Sequence, residues 1–239
     1  MKTCLCWIFN GMGLPDAKKW TYDTGGHGWG NQELQYYTAQ RPKNARVENG
    51  VLVIEAHREQ TFSSAYSSAR LVTRTKAAWQ YGKIQVRAKL PAGRGTWPAI
   101  WMLPEAQPLH WPDDGEIDIM EEVGWDPNNI HASVHTKAFN HLDKTQKTDS
   151  ILVPSAQTKF QVYEIEWTPD SIHASVNGKP YFHFANPKIS RKEWPFDQPF
   201  YLVLNIAVGG FWGNVKGIDT TAFPARMEID YVRIYQYQP

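Results

Sequence analysis

Lys83-Ile84-Gln85-Val86-Arg87-Ala88-Lys89-Leu90 places an apolar side chain at every second position and a long polar one between. Side chains on a strand alternate faces, so Ile84, Val86, Ala88 and Leu90 turn inward while Lys83, Gln85, Arg87 and Lys89 meet water. Outward from this segment, Val51 to Ala56, Ile130 to Thr136 and Val162 to Trp167 read as further strands. Ile172 to Val176 and Pro180 to Phe184 flank Asn177-Gly178, a two-residue hairpin signal. Phe200 to Val208 reads as a continuous apolar run, a strand covered on both sides, and Met227 to Tyr237 as the last strand. Pro and Gly punctuate the connections, as at Pro91-Ala92-Gly93 and Gly209-Gly210. Helical periodicity is almost absent, and no linker, charge run or internal repeat divides the chain. Residues 1–239 are therefore expected to form one all-β domain, a β-sandwich jelly roll of two curved antiparallel sheets with a groove on one face.

Composition narrows the ligand. The formal charge is +1, from 25 basic and 24 acidic residues, which gives no electrostatic case for nucleic acid. Eleven Trp and eleven Tyr exceed what a core of this size needs. Flat aromatic faces stack on apolar sugar faces, so the excess suggests a carbohydrate groove, with ordinary core packing absorbing part of it. Cys4 and Cys6 stand too close in sequence for an unstrained bridge, and neither a disulfide scaffold nor a Cys-based zinc site is expected. Met1 to Phe9 faintly suggests a signal peptide, but the apolar run is short and Asn10-Gly11 follows without a small-residue cleavage site. Export is left open at this level. No stretch is long enough to cross a bilayer as a helix, so no membrane partner is expected.

Glu116-Ile117-Asp118-Ile119-Met120-Glu121 sets three carboxylates within six residues of an apolar run. Alternation puts Glu116 and Asp118 on one face, Met120 beside them, and Glu121 on the other. One extra residue near Ile119 or Met120, a β-bulge, would return Glu121 to the front. Clustered acids shift one another's pKa, as general acid–base work requires. A lone Glu-x-Asp is better read as solvated acids on an exposed strand. Glu228-Ile229-Asp230 is an internal comparison: Arg233 stands where a second Glu would be needed. The first copy has its second Glu, with Trp97, Trp101, Trp111 and Trp125 around it. Glu122 is expected to face the opposite way. His131 and His135 share a strand face with Ser133 between them, but no further His or Cys supports a metal site. Substrate contact is expected of His135 and a structural role of His131.

These motifs carry a family resemblance. Gly28-Trp29-Gly30-Asn31-Gln32-Glu33-Leu34-Gln35-Tyr36-Tyr37, Trp97-Pro98-Ala99-Ile100-Trp101-Met102-Leu103-Pro104, Gly115 to Glu121, Val134-His135-Thr136 and Ala207-Val208-Gly209-Gly210-Phe211-Trp212-Gly213 occur in order. From about Trp20 to Tyr237 the chain resembles bacterial laminarinase-type enzymes of glycoside hydrolase family 16. The resemblance implies a concanavalin A-like jelly roll whose concave face forms the substrate cleft. It further implies a retaining mechanism, with Glu116 as nucleophile, Glu121 as general acid–base and Asp118 as the assisting carboxylate. Trp97 and Trp101 would line the cleft, Asn31 and Arg70 would hydrogen-bond sugar hydroxyls, and Trp212 would cap one end.

The expected activity is endo-hydrolysis of β-1,3-glucans such as laminarin. A β-1,3-1,4-glucanase and a non-catalytic β-glucan-binding protein are the alternatives. By the same resemblance the protein would be a secreted or periplasmic monomer acting on β-glucan polysaccharide or oligosaccharide, with no cofactor needed for catalysis. Family members carry a structural calcium on the convex face, and Gly50, through its carbonyl, and Asp230 match two of its positions. The acidic pair that normally precedes Phe-Asn-Gly is replaced by Trp7-Ile8 ahead of Phe9-Asn10-Gly11, which removes a usual ligand and loosens the expected pairing of the first strand.

Overall fold

The computed structural model describes residues 2–236. Its strands, in chain order, are β1 (Lys2–Ile8), β2 (Thr21–Asp23), β3 (Gln35–Tyr37), β4 (Ala45–Glu48), β5 (Val51–Thr61), β6 (Ser64–Ser68), β7 (Arg70–Val72), β8 (Gly82–Lys89) and β9 (Thr96–Pro104). They continue with β10 (Glu116–Glu121), β11 (Asn129–His135), β12 (Lys147–Leu152), β13 (Gln161–Trp167), β14 (Ser171–Val176), β15 (Lys179–Ala185), β16 (Phe200–Val208) and β17 (Ala225–Gln236). A one-turn helix, Gly210–Gly213, and a 3₁₀ turn, Thr220–Ala222, are the helical pieces among the described residues, and no helix there is long and apolar enough to cross a membrane.

Two sheets stack face to face. One runs β15-β14-β13-β8-β17-β5-β6-β3, with β1 added on β17 and β4 on β5; the other runs β12-β11-β10-β9-β16-β7-β2. Pairing is antiparallel throughout except between β3 and β6, which lie parallel, a departure from the expected all-antiparallel arrangement. The first strand does find a partner, antiparallel to β17 from Lys2–Gln236 to Ile8–Tyr231. Tyr237 and the Cys4 side chain lie outside what is described, so the end of the last strand and the Cys4–Cys6 question stay with the sequence.

Alternation decides what the sheets bury. In β8, Ile84, Val86 and Ala88 are fully buried, and Leu90 joins them in the core between the sheets. Ile84, Val86 and Leu90, so buried, contribute roughly 1.5–3 kcal/mol each. The outward residues of the same sheet form a net of ion pairs: Lys83 with Glu164, Lys89 with Glu228, and Arg226 with both Glu48 and Glu228. Asn177 and Gly178 both take positive φ, 52° and 78°, as a type I′ turn joining β14 to β15 requires.

Strand β16 is buried along its whole length for a reason that sequence alone does not give. Leu202, Leu204, Ile206 and Val208 enter the main core, whereas Tyr201 and Val203 pack with Val72 and Leu103 in a second cluster under Trp101 and Trp111. The run is also not wholly apolar. Asn205 interrupts it on the groove side, where it bonds Trp101 and Tyr37.

Gly124, just past β10, donates its N–H to Thr96 O at 2.9 Å, and a Cβ there would lie 1.8 Å from Gly93 O. This contact ties the end of β10 to the start of β9. Gly124→Ala is expected to lower stability by about 1–3 kcal/mol, the range for overpacking a tight site. Calorimetric melting measures it; an unchanged melting temperature would mean that the Gly93 loop yields freely.

Candidate active site

Strand β10 carries one residue more than either neighbour. Against β11 the pairs run Glu116–His135, Ile117–Val134, Asp118–Ser133 and then Glu121–His131. Against β9 the register jumps from Asp118–Trp101 to Met120–Ile100, so the extra residue falls at Ile119. Ile117, Ile119 and Met120 all enter the core, while Glu116, Asp118 and Glu121 line the same groove. Glu122 points the other way, fully buried, with Oε1 accepting from Asn128 N–H and Gln157 Nε2.

The groove has a volume of about 800 Å³ and opens on the face of the β10-containing sheet. Each glutamate meets one indole: Trp111 Nε1 donates to Glu116 Oε2, and Trp97 Nε1 donates to Glu121 Oε1, both at 3.0 Å. His135 Nε2 lies 3.3 Å from Asp118 Oδ2 and 3.9 Å from Glu116 Oε1. Among the described residues it is the only ion-pair partner of the three acids. Burial first, then repulsion from Asp118, pushes Glu116 and Glu121 up to about 8. Burial likewise raises Asp118 to about 8, against a hydrogen bond with Glu116.

The surroundings separate the two glutamates. His135 and Arg70 favour the charged form of Glu116. Glu121 feels His135 and the Trp97 hydrogen bond, but Glu33 opposes its ionisation. The two carboxyls thus share the same burial but have different polar neighbours. The sister tripeptide Glu228-Ile229-Asp230 sits on the other sheet, where Lys89 and Arg226 hold Glu228 and Arg87 holds Asp230. One tripeptide is neutralised by cations; the other is buried nearly without them.

Asn31, Arg70, Trp97 and Trp101 line the groove with the three acids. Arg70 is no surface ion pair. Its guanidinium lies between Trp29 and Trp101, 4.7 and 4.6 Å from the ring centres, and pairs with Asp23 at 3.2 Å. The other two expected contacts, His135 and Trp212, stand beside this lining. His135 is buried and turned onto Asp118 and Glu116 rather than lining the open groove, because its place opposite Glu116 in the ladder puts it beside the acids. Trp212 packs edge-on against Trp97 at 5.5 Å and against His131 at 5.0 Å, and its carbonyl accepts from Trp125 Nε1. It steadies Trp97, which lines the groove.

Several participants escaped the sequence reading. Glu33 lines the groove and accepts from Asn31 Nδ2, Gln35 Nε2 and Tyr37 OH. Tyr37 OH in turn accepts from Asn205 Nδ2, and Asn205 Oδ1 accepts from Trp101 Nε1 at 2.7 Å. Asn205 had a signal, a polar residue inside an apolar strand, although its partners Tyr37 and Trp101 lie far away in the chain; the Glu33 partners lie within four residues of it, but the 28–37 motif does not say which of its side chains turn toward one another. Trp111 stands near the acids in sequence, but its bond to Glu116 depends on the fold of its loop. On the convex side, the calcium positions do not fit a calcium cage. The Asp230 carboxylate already faces the Arg87 guanidinium, so a hard cation would meet a positive charge in place of the six or more oxygens it needs.

Comparison with known proteins gives a consistent set. Residues 32–233 match the family model described as Glycosyl hydrolases family 16. A Rhodothermus marinus protein named Beta-glucanase is 57% identical over 237 residues, covering 96% of this chain and 83% of its own length. The X-ray structure of the laminarinase from Rhodothermus marinus superposes with a TM-score of 0.97 at 55% identity, covering 100% of this chain and 98% of that one. A variant of SCLam, a non-specific endo-β-1,3(4)-glucanase crystallised with an oligosaccharide at its active site, superposes with a TM-score of 0.95 at 49% identity, covering 99% of this chain and 95% of that one.

Buried acids tax the fold in a measurable way. The folded protein keeps the Glu121 proton between pH 4.5, its ordinary value, and about 8, a window in which the unfolded chain has already released it. Stability therefore falls as pH rises through that window. Glu121→Gln keeps the acceptor for Trp97 and removes the titration. It is expected to melt above the parent at pH 8, with the difference shrinking toward pH 4. Calorimetry across pH checks this, and a difference that stays flat would contradict the burial argument.

Proposed function

Because the chain belongs to the glycosyl hydrolases of family 16, we propose that it is an endo-β-1,3-glucanase of the laminarinase type, working as a single catalytic domain with retention of configuration. The observation that carries this reading is the convergence of Glu116 and Glu121 on one groove, each held by a tryptophan N–H. In this reading Glu116 attacks the anomeric carbon while Glu121 protonates the departing glycosidic oxygen. The glycosyl–Glu116 ester is then opened by a water that Glu121 deprotonates, returning both carboxyls to their starting states. A retaining pair works at roughly 5–5.5 Å separation.

Asp118 stands between them. Burial first, and then repulsion from Asp118 in its ionised form, disfavour the anion of Glu121 and keep the acid protonated until the bond breaks. His135 orients Asp118 and favours the ionised nucleophile. Trp97, Trp101, Asn31 and Arg70 would hold the glucosyl units, through ring stacking and hydrogen bonds to hydroxyls. Nothing in these steps calls for a cofactor. A polysaccharide too large to cross a membrane calls for an enzyme working outside the cytoplasm, secreted or periplasmic.

A second reading has its own support. The SCLam neighbour is described as a non-specific endo-β-1,3(4)-glucanase, so mixed-linkage glucan is the runner-up substrate.

Reducing-sugar release and product analysis on laminarin, barley glucan, agarose and carrageenan test the substrate class, with laminarin expected to be cut internally. Glu116→Gln is expected to abolish turnover with the fold intact, and Glu121→Gln to slow it about 10²–10⁴-fold. Glu122→Gln should remain active. Near-parental hydrolysis by Glu116→Gln would remove the nucleophile assignment. Loss in Glu122→Gln with Glu121→Gln unaffected would reverse the register of β10.

A further inference from the structure

The acid end of the groove has the donor geometry of a metal site. Among the described residues, Glu116, Asp118 and His135 each offer a ligand atom, all within 4.8 Å of one another. His135 Nε2 stands 3.3 Å from Asp118 Oδ2 and 3.9 Å from Glu116 Oε1. Metal–ligand bonds of about 2.0–2.1 Å in a tetrahedron place neighbouring donors about 3.4 Å apart. Asp118 is 3% exposed, and its Oδ2 accepts no hydrogen bond. Trp111 occupies the other oxygen of Glu116, which leaves Oε1 toward His135.

We propose that this groove binds a divalent ion of the zinc type through Glu116, Asp118 and His135, and that the bound ion blocks glucan hydrolysis competitively. Binding stands on the donor set alone, whereas the inhibition rests on the function proposed above. One imidazole with two carboxylates suits zinc or copper better than magnesium or calcium. A dication also supplies the countercharge that these buried acids lack. The fourth coordination position would open to the groove, and the ion itself would cover the nucleophile. His135 Nδ1 has no hydrogen-bond partner to fix the ring, so the site is a weak, reversible one rather than a structural centre.

A rival site lies on the other sheet. His173 and His183, both exposed, face each other across β14 and β15 with their rings stacked at 4.3 Å. The experiment must separate the two.

Zinc is titrated calorimetrically into the parent protein, Glu116→Gln, His135→Gln and the double variant His173→Ala/His183→Ala, with circular dichroism as the check on folding. Glu116→Gln and His135→Gln are each expected to lose more than about tenfold in zinc affinity, the scale lost on removing even an outer-shell partner. Should His135→Gln unfold, Glu116→Gln carries the test. The double variant should keep both zinc binding and zinc inhibition, laminarin should raise the apparent inhibition constant for zinc, and magnesium should not inhibit. Parental zinc affinity in Glu116→Gln, or zinc inhibition that disappears in the double variant, overturns the proposal. Zinc binding that depends on Glu116 in a protein unable to cut laminarin would uphold the metal site and sink the proposed function instead.

Discussion

One surplus residue at Ile119 governs the active face. In a regular strand Glu121 would enter the core and Met120 would face the groove. The bulge reverses that, and both neighbours record it, as a skipped partner on β9 and on β11. The arrangement around the acids depends on this step. Trp97 reaches Glu121 because Glu121 lies opposite Ala99 on the strand that also carries Trp97. His135 reaches Asp118 because the ladder up to the bulge is regular.

Placing three acids together creates an electrostatic load that is left largely uncompensated. Elsewhere the protein pairs its carboxylates readily. Glu55 is held well below the usual range, at about 2, by His57 and Arg46 in spite of its burial, and Glu59 is held as low by Lys43, Ser67 and Arg41. In the groove the Arg70 guanidinium pairs with Asp23 and is clasped by two tryptophans. Withholding a cation keeps the carboxyls at a proton affinity where transfer near neutral pH is easy. The same withholding destabilises the fold, a common tension at reactive sites.

Hydrogen bonding extends this order away from the acids. Asn31, Glu33, Tyr37, Asn205 and Trp101 are linked in one chain that joins the 24–37 segment to β16 and β9. Such a chain fixes the ring plane of Trp101 and the amide of Asn31 together. Arg70 connects it to Trp29, so one wall of the groove is held by mutual contacts rather than by any single residue.

Local pattern was enough for much of this protein. The alternation of Lys83 to Leu90, the Asn177-Gly178 turn and the apolar strand at Phe200 to Val208 report side-chain faces and chain reversals, which are set by neighbours in sequence. The crowding of Glu116, Asp118 and Glu121 likewise required a bulge for all three to be useful together, so the site was legible before its geometry. What local pattern could not reach were contacts closed by tertiary packing: the indoles on the two glutamates, His135 turned onto Asp118, Trp212 edge-on to Trp97, and Asp230 taken up by Arg87. Each partner in those contacts has several plausible neighbours along the chain. Only the stacking of the two sheets and the course of the loops over them selects one, because direction in space is lost when a chain is read as a line.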